Sequence, residues 1–329
     1  MLENFLYLKD EKNLLAFSGG ADSTALFYLL LENNIPFDIT HVNYNTRDKS
    51  LDEKESAIAL ATKYNKKIFY HDTYLEARNF EAQARKVRYD FFEKTIMIEK
   101  YDNLLTAHHL GDKLEWFLMQ LTKGAGLPEM LGMSYQDKRE NYTLVRPLLN
   151  YDKKVLINYL ENKNIPWFED SSNYDESYKR NYFRHNFSNK LLEHYASGVA
   201  KSFEYLERDK EELITTTNVK TIDTMSYFKR TTSRRSDIIM IDKTLKQRGY
   251  IMRSGDRENL LKNSSVEVGR VFSIMIENEW IFIIPKTKSI VMDKAFKEQC
   301  REKKIPSKLR PYLFHLEVTT LSTFLKECF

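Results

Sequence analysis

The stretch Ser18-Gly19-Gly20-Ala21-Asp22-Ser23 constrains this chain more than any other feature. An apolar run, Leu14-Leu15-Ala16-Phe17, leads into it and reads as a short buried strand. Behind it Ala25, Leu26, Leu29 and Leu30 recur at helical spacing, so the six residues form a strand-to-helix turn. Two adjacent glycines permit positive φ and close backbone approach, while Asp22 and Ser23 suit a helix start. Such a turn aims several N–H groups and the positive end of a helix dipole at one point, which favours an anion such as phosphate. It lacks both the Gly-Lys-Ser/Thr ending of a mononucleotide loop and the GxGxxG spacing of a dinucleotide loop. With no lysine for a transferred phosphate, it is better suited to gripping pyrophosphate. The plain alternative is a glycine-rich turn capped by its own Ser and Asp.

Downstream, short apolar runs alternate with helical patterns. Strands are expected at Phe37–Val42, Lys67–Tyr70 and Asn103–Ala107, and helices at Leu51–Tyr64, Asn79–Glu99 and Lys113–Leu121. That alternation predicts a parallel sheet covered by helices on both faces, with ligands at the carboxyl ends of its strands. Ser18, His41-Val42-Asn43 and Ala107-His108-His109 then share one rim. A helix is expected from Asp152 to Lys163 and a charged linker helix from Glu193 to Glu212. Beyond it, Ser236–Arg248 reads as helical and Val268–Met275 and Trp280–Ile284 as antiparallel strands.

With 329 residues, 42% apolar and 30% charged, the chain has room for two domains and a substantial core. No run is long and apolar enough to span a bilayer, and the first twelve residues lack signal-peptide order. Cys300 and Cys328 are the only cysteines, which argues against a disulfide framework and for a cytoplasmic protein. Residues 215–329 hold 22 Lys and Arg against 13 Asp and Glu, whereas residues 1–214 hold 29 against 34. A basic C-terminal part suits a polyanionic partner, although a solvated lysine-rich surface would look the same.

Several side chains are candidates for chemistry. Asp112 and Glu115, three apart at a helix start, share one face. They either complement the helix dipole or form an acidic pocket able to take a cationic amine or Mg²⁺. Adjacent His108-His109 point in different directions and lack the spacing of a zinc site. Arg88, on a helix anchored by Tyr89, Phe91 and Phe92, is expected at the rim, where an arginine can hold phosphate bidentately. The polar loop His41–Arg47 could be a simple connector. The run Tyr178-Lys179-Arg180-Asn181-Tyr182-Phe183-Arg184-His185 interleaves bases with rings, a composition that suits unpaired RNA or a domain-closing segment.

Ser-Gly-Gly-x-Asp-Ser resembles the PP-loop of the ATP pyrophosphatases. Five segments in order, Ser18–Ser23, His41–Arg47, Glu81–Phe92, Ala107–Glu115 with Gly124–Met133, and Pro166–His185, resemble tRNA(Ile)-lysidine synthetases. The most specific match is Trp167-Phe168-Glu169-Asp170-Ser171-Ser172-Asn173 followed by Tyr178–Asn181 and Arg184-His185. The resemblance implies an α/β, parallel-sheet PP-loop domain of the adenine nucleotide alpha hydrolase-like type over residues 1–190. A helical linker over 191–214 and a smaller basic α+β, tRNA-binding domain over 215–329 would follow. It implies ATP and Mg²⁺ as cofactors, and free L-lysine and a CAU-anticodon tRNA(Ile) as partners; a homodimer is left open. ATP would adenylate the wobble cytidine, and lysine would then displace AMP to give lysidine. Ser18, Gly19, Gly20, Ala21, Asp22 and Ser23 would hold the nucleotide, with Asp22 near Mg²⁺. Asp112 and Glu115 would bind the lysine ammonium, and one of them would accept its proton. Arg88 and Arg180 would hold ATP phosphates or the surroundings of the flipped cytidine. Arg180, Arg184, Arg234 and Arg235 would meet the tRNA.

This chain departs from the family pattern at three positions. Gly111 stands where an acid is common, Lys113 where a glutamine is usual, and Tyr44 where a second histidine is usual. The retained Asp112 and Glu115 are taken as sufficient for activity. Two rival readings are a PP-loop tRNA thiolase, for which Cys300 and Cys328 are poorly placed, and a non-catalytic tRNA-binding relative that lost turnover through Gly111.

Overall fold

The computed structural model describes residues 3–45, 49–75, 80–169, 175–286, 290–316 and 318–328. The chain divides into two compact units, Met1–Glu207 and Arg208–Phe329.

After a short 3-10 helix (Glu3–Asp10), the first unit forms a mostly parallel sheet. Its strands are β1 (Asn13–Ala16), β2 (Phe37–Asn43), β3 (Ile68–Asp72), β4 (Asn103–Leu105), β5 (Gln136–Lys138) and β6 (Thr143–Val145). They lie in the order β3-β2-β1-β4-β6-β5, and only β5 runs antiparallel to its neighbour. The connecting helices are α1 (Ala21–Glu32), α2 (Lys49–Lys63), α3 (Phe80–Glu99), α4 (Leu110–Leu121), α5 (Leu127–Met130), α6 (Lys153–Asn162) and α7 (Lys179–Phe183). A π-helical turn, Arg184–Ser188, leads from α7 into α8 (Asn189–Leu213), which bends at Tyr195.

Successive strand residues face opposite ways, and both faces are covered. Leu14, Leu104 and Leu144 pack on Phe92 and Ile96 of α3. Their neighbours Leu15, Leu105 and Val145 pack with Leu26 and Leu30 of α1 and Leu156 and Leu160 of α6. Burial on both faces is why these strands read as unbroken apolar runs. The order places β1 between β2 and β4, so the chain leaves β1 towards one side of the sheet and later returns to build the other. The loops after β1 and β4 therefore leave the sheet at its topological switch point, side by side at the carboxyl ends of both strands, where ligands of such sheets bind.

The second unit is an antiparallel sheet, β7-β8-β11-β10-β9. Its strands are β7 (Lys220–Ile222), β8 (Met225–Lys229), β9 (Ser265–Val268), β10 (Phe272–Glu277) and β11 (Trp280–Pro285). The helices α9 (Arg234–Gln247) and α10 (Ser254–Lys262) cover one face, setting Ile241, Leu245 and Leu260 on Phe228, Ile274 and Ile281. On the other face α11 (Lys294–Glu302), α12 (Arg310–Leu313) and α13 (Val318–Cys328) bring Cys300, Leu313 and Phe324 against Tyr227, Met275 and Phe282.

Several expected boundaries differ. The strand expected over Val268–Met275 is interrupted, because Gly269 and Arg270 take positive φ (62° and 59°) and turn the chain between β9 and β10. The helix expected from Lys113 begins at Leu110, because His109 caps it. Within the basic and aromatic run, Lys179–His185 is helical, lying in α7 and the π-helical turn. Asn79, the expected start of α3, lies outside the described residues. The division of the chain into its two units falls between Glu207 and Arg208, inside α8 and inside the expected 191–214 linker. Among the described residues no helix is long and apolar enough to cross a membrane.

Lys113, in α4, is almost wholly buried. Its Nζ lies 2.8 Å from Glu207 Oε1 and sits over the rings of Phe203 (4.8 Å) and Tyr135 (5.5 Å). Removing one partner of a buried pair leaves the other charge uncompensated. Lys113→Met is therefore expected to destabilise the first unit by about 3–5 kcal/mol in urea unfolding, with much of the loss restored by adding Glu207→Leu.

Candidate active site

The loop after β1 is held open from several directions. Phe17 donates to Thr40 O at 2.9 Å, and the buried His41 sets its Nδ1 3.0 Å from Phe17 O. Gly19 adopts φ +80°, and a Cβ there would meet the Phe168 ring at 3.3 Å. The Phe168 N–H donates to Gly19 O at 3.0 Å, tying the loop to the residues after α6. Ser23 Oγ donates to Gly20 O (3.1 Å) and accepts from the Ser18 N–H (3.2 Å), while Thr24 Oγ1 donates to Gly19 O (3.3 Å). Loop carbonyls are thus taken up internally. Gly20 caps α1 without a side chain, so the first-turn N–H groups remain for an incoming anion.

The loop after β4 comes against the loop after β1. His109 caps α4: its Nδ1 accepts from the Gly111 N–H at 3.0 Å, and Asp112 Oδ2 accepts from the His109 N–H at 2.9 Å. Because Nδ1 accepts, the neutral ring carries its hydrogen on Nε2. That Nε2 lies 3.8 Å from Asp22 Oδ2 and 3.7 Å from Asp112 Oδ2. One imidazole therefore links the acid of the glycine loop to the acid of the second loop. The folded-back ring also accounts for Gly111, since a Cβ there would lie 2.7 Å from His109 Cε1. An acidic side chain at this position would have to displace the cap.

Asp112 and Glu115 are both buried, but the niche they form is not open. Arg180 Nε donates to Glu115 Oε2 at 2.8 Å, and its Nη2 donates to Asp112 Oδ1. Arg184 donates to Glu115 from Nε (2.7 Å) and Nη2 (3.2 Å). The sequence assigned the acids to an amine and the arginines to phosphate or RNA; the fold joins all four. Buried carboxylates require such partners, and the helical turn at Lys179–Ser188 brings both guanidiniums onto α4. Burial alone would raise the pKa of Asp112, but His109 and Arg180 outweigh it and hold the carboxyl well below its usual range. Burial would lower that of Arg180, yet Asp112 and Glu115 raise it.

Asp22 Oδ1 is buried with no hydrogen-bond partner among the described residues, and its Oδ2 is 3.9 Å from Lys153 Nζ. Arg88 is exposed on α3, where its Nε donates to Tyr44 Oη at 3.0 Å. Tyr44 in turn donates to Ala84 O. Arg47 and Asp170–Asn173, which carry part of the family resemblance, lie outside the described residues. Arg234, one of the residues expected to meet tRNA, donates through its guanidinium to Leu260 O (2.8 Å) and Asn263 O (2.5 Å) at the end of α10, whose carbonyls lack intrahelical partners. Arg235 is exposed. Sequence reading missed Phe168 as the clamp on Gly19, and Lys113 and Arg146 as buried cations. A long-range steric contact and burial against distant elements leave no local pattern.

A family described as a PP-loop domain matches residues 1–191. A tRNA(Ile)-lysidine synthase of Helicobacter pylori is 44% identical over 309 residues, covering 93% of this chain and 90% of its own length. The chain belongs to the tRNA(Ile)-lysidine synthase family. Relatives with that name from Campylobacter jejuni and Wolinella succinogenes are each 43% identical, covering 96% and 95% of this chain and 97% and 96% of their own lengths. A solved U34-tRNA thiolase from Methanococcus maripaludis aligns with TM-score 0.50 at 16% identity, over 60% of this chain and 72% of its own. That likeness concerns the fold alone.

His108, hydrogen-bonded at Nδ1 to Thr106 Oγ1 (2.9 Å), is pushed down to about 4 by burial, with Asp112 opposing and Arg146, Arg180 and Arg85 adding to the shift. A histidine whose folded value is depressed stabilises the fold above its unfolded value of about 6.5 and loses that contribution as pH falls towards 4. NMR titration of His108 is expected to show a midpoint near 4, and the stability lost between pH 6.5 and 4 should shrink in His108→Gln. In the same way Gly111→Asp is expected to lower stability by about 1–3 kcal/mol in urea unfolding by dislodging the His109 ring.

Proposed function

We propose that this chain uses ATP to adenylate the 2-carbonyl oxygen of the wobble cytidine in a CAU-anticodon tRNA(Ile), in the cytoplasm. The ε-amine of free L-lysine then attacks C2, the carbon–oxygen bond to AMP breaks, and lysidine forms. The observation that carries this reading is the single His109 ring within 3.7–3.8 Å of both Asp22 and Asp112. It sets an anion-binding loop beside an acidic pair, as a reaction that expels pyrophosphate and admits an amine requires.

Each group has a role in keeping with its chemistry. The Ser18–Ser23 amides take the pyrophosphate and stabilise the charge that develops on it. The unused Asp22 Oδ1 and the open α1 terminus fit a Mg²⁺ held by one carboxylate and substrate phosphates. Bound there, the ion would neutralise phosphate charge. Asp112 and Glu115 form a site selective for cations, filled in this conformation by Arg180 and Arg184. The lysine ammonium replaces part of that guanidinium charge, and a released Arg180 turns to the phosphates, where Arg88 also serves. Either carboxylate can then accept the amine proton before attack. Arg184, Arg235 and the basic residues between Lys294 and Arg310 hold the tRNA.

Incorporation of labelled lysine into a CAU-anticodon transcript, dependent on ATP and accompanied by AMP release, tests this directly. Transcript binding without incorporation would reject the reading in favour of a binding protein. Asp112→Asn, which keeps the shape of the cap, is expected to lower incorporation about 100-fold while leaving transcript affinity within about threefold. Gly19→Ala, which forces a Cβ into the left-handed region against Phe168, is expected to cost at least about tenfold in incorporation.

A further inference from the structure

Arg146 follows β6 on the rim that carries His108, and it is 6% exposed. Backbone pairing fixes its place. Leu105 pairs with Val145, the Thr106 N–H donates to Val145 O at 3.0 Å, and the Arg146 N–H donates to Tyr135 O at 2.8 Å. Its Nη1 donates to Ser134 O at 2.7 Å, while its Nε is buried without a hydrogen-bond partner among the described residues. No carboxylate among the described residues forms an ion pair with it. Asp137, on neighbouring β5, is taken by Arg139 at 2.7 Å.

A buried guanidinium is ordinarily paired, because its desolvation must be offset. Here burial lowers the pKa of Arg146; Tyr89 and Asp137 oppose that effect, and the cations Arg139 and Arg85 add to it. Asp112, the acid felt at His108, is committed to Arg180. With Asp137 paired to Arg139 and Asp112 to Arg180, Arg146 keeps a donor unused at the carboxyl edge of β4 and β6 among the described residues. A phosphate oxygen pair matches the parallel Nε and Nη donors of a guanidinium.

We propose that Arg146 is an anion-holding residue of the active site, taking a phosphate group that arrives with ATP or in the tRNA backbone. The proposal rests on the function given above. Its test compares wild type, Arg146→Met and Arg146→Lys for urea midpoint, ATP affinity and affinity for an unmodified CAU-anticodon transcript at two salt concentrations. Arg146→Met is expected to melt at or above the wild-type midpoint, since it removes a charge that lacks a partner, and to lose about tenfold or more in one affinity. Loss confined to ATP assigns the nucleotide phosphate. Loss confined to the transcript, with a shallower salt dependence, assigns the backbone. Arg146→Lys is expected to recover part of whichever affinity falls. An Arg146→Met protein that fails to fold, or one that folds and binds both ligands as wild type does, overturns the proposal. If wild type binds neither ATP nor transcript, the proposed function itself fails.

Discussion

Two carboxylates taken out of water govern the architecture of this site. Asp112 and Glu115 sit at the start of α4 inside the first unit, where an ionised acid is tolerable only against cations and donors. Arg180 and Arg184 meet that need from a segment 65 to 69 residues downstream, and they reach it because α7 passes directly into a π-helical turn. A single π turn within a helix is a frequent mark of a functional site, since it shifts side chains off the regular register. The segment is therefore anchored by the charges it neutralises. A cationic substrate entering the niche would compete with the same guanidiniums, which couples amine binding to the position of two arginines.

The sheet order supplies the second condition. Because β1 lies between β2 and β4, the loops that leave β1 and β4 lie side by side. His109 sits between them, capping α4 through one ring nitrogen and facing Asp22 and Asp112 through the other. The glycine at position 111 fits this arrangement sterically, since the space a side chain would need is filled by the imidazole. In this chain the position is given over to holding a histidine.

Much of the scaffold was legible in the residues. Leu14-Leu15, Leu104-Leu105 and Leu144-Val145 are strands buried on both faces, and the first two pairs could be read as such before any coordinates. The strands β5, β6, β7 and β8 were not read; the first three are three residues long, and β4, equally short, was read only because its apolar pair sits in a longer run, Asn103–Ala107. The join between β9 and β10 was missed because the apolar pattern runs on across a turn made by positive φ at Gly269 and Arg270. The hydrogen bonds of Arg234 to the end of α10 join residues distant in sequence and left no local pattern to read.

By itself the sequence determined the glycine loop, the strand–helix alternation, the acid pair on one helical face and the family these belong to, because each is a local pattern of residue type and spacing. Tertiary structure alone decided which charges pair. That Asp112 and Glu115 are filled by Arg180 and Arg184, that His109 bridges two loops, and that Lys113 is satisfied while Arg146 keeps an unused donor all depend on which distant segments converge. Coulomb and hydrogen-bond energies act over a few ångströms of space, and spacing along the chain does not encode those distances.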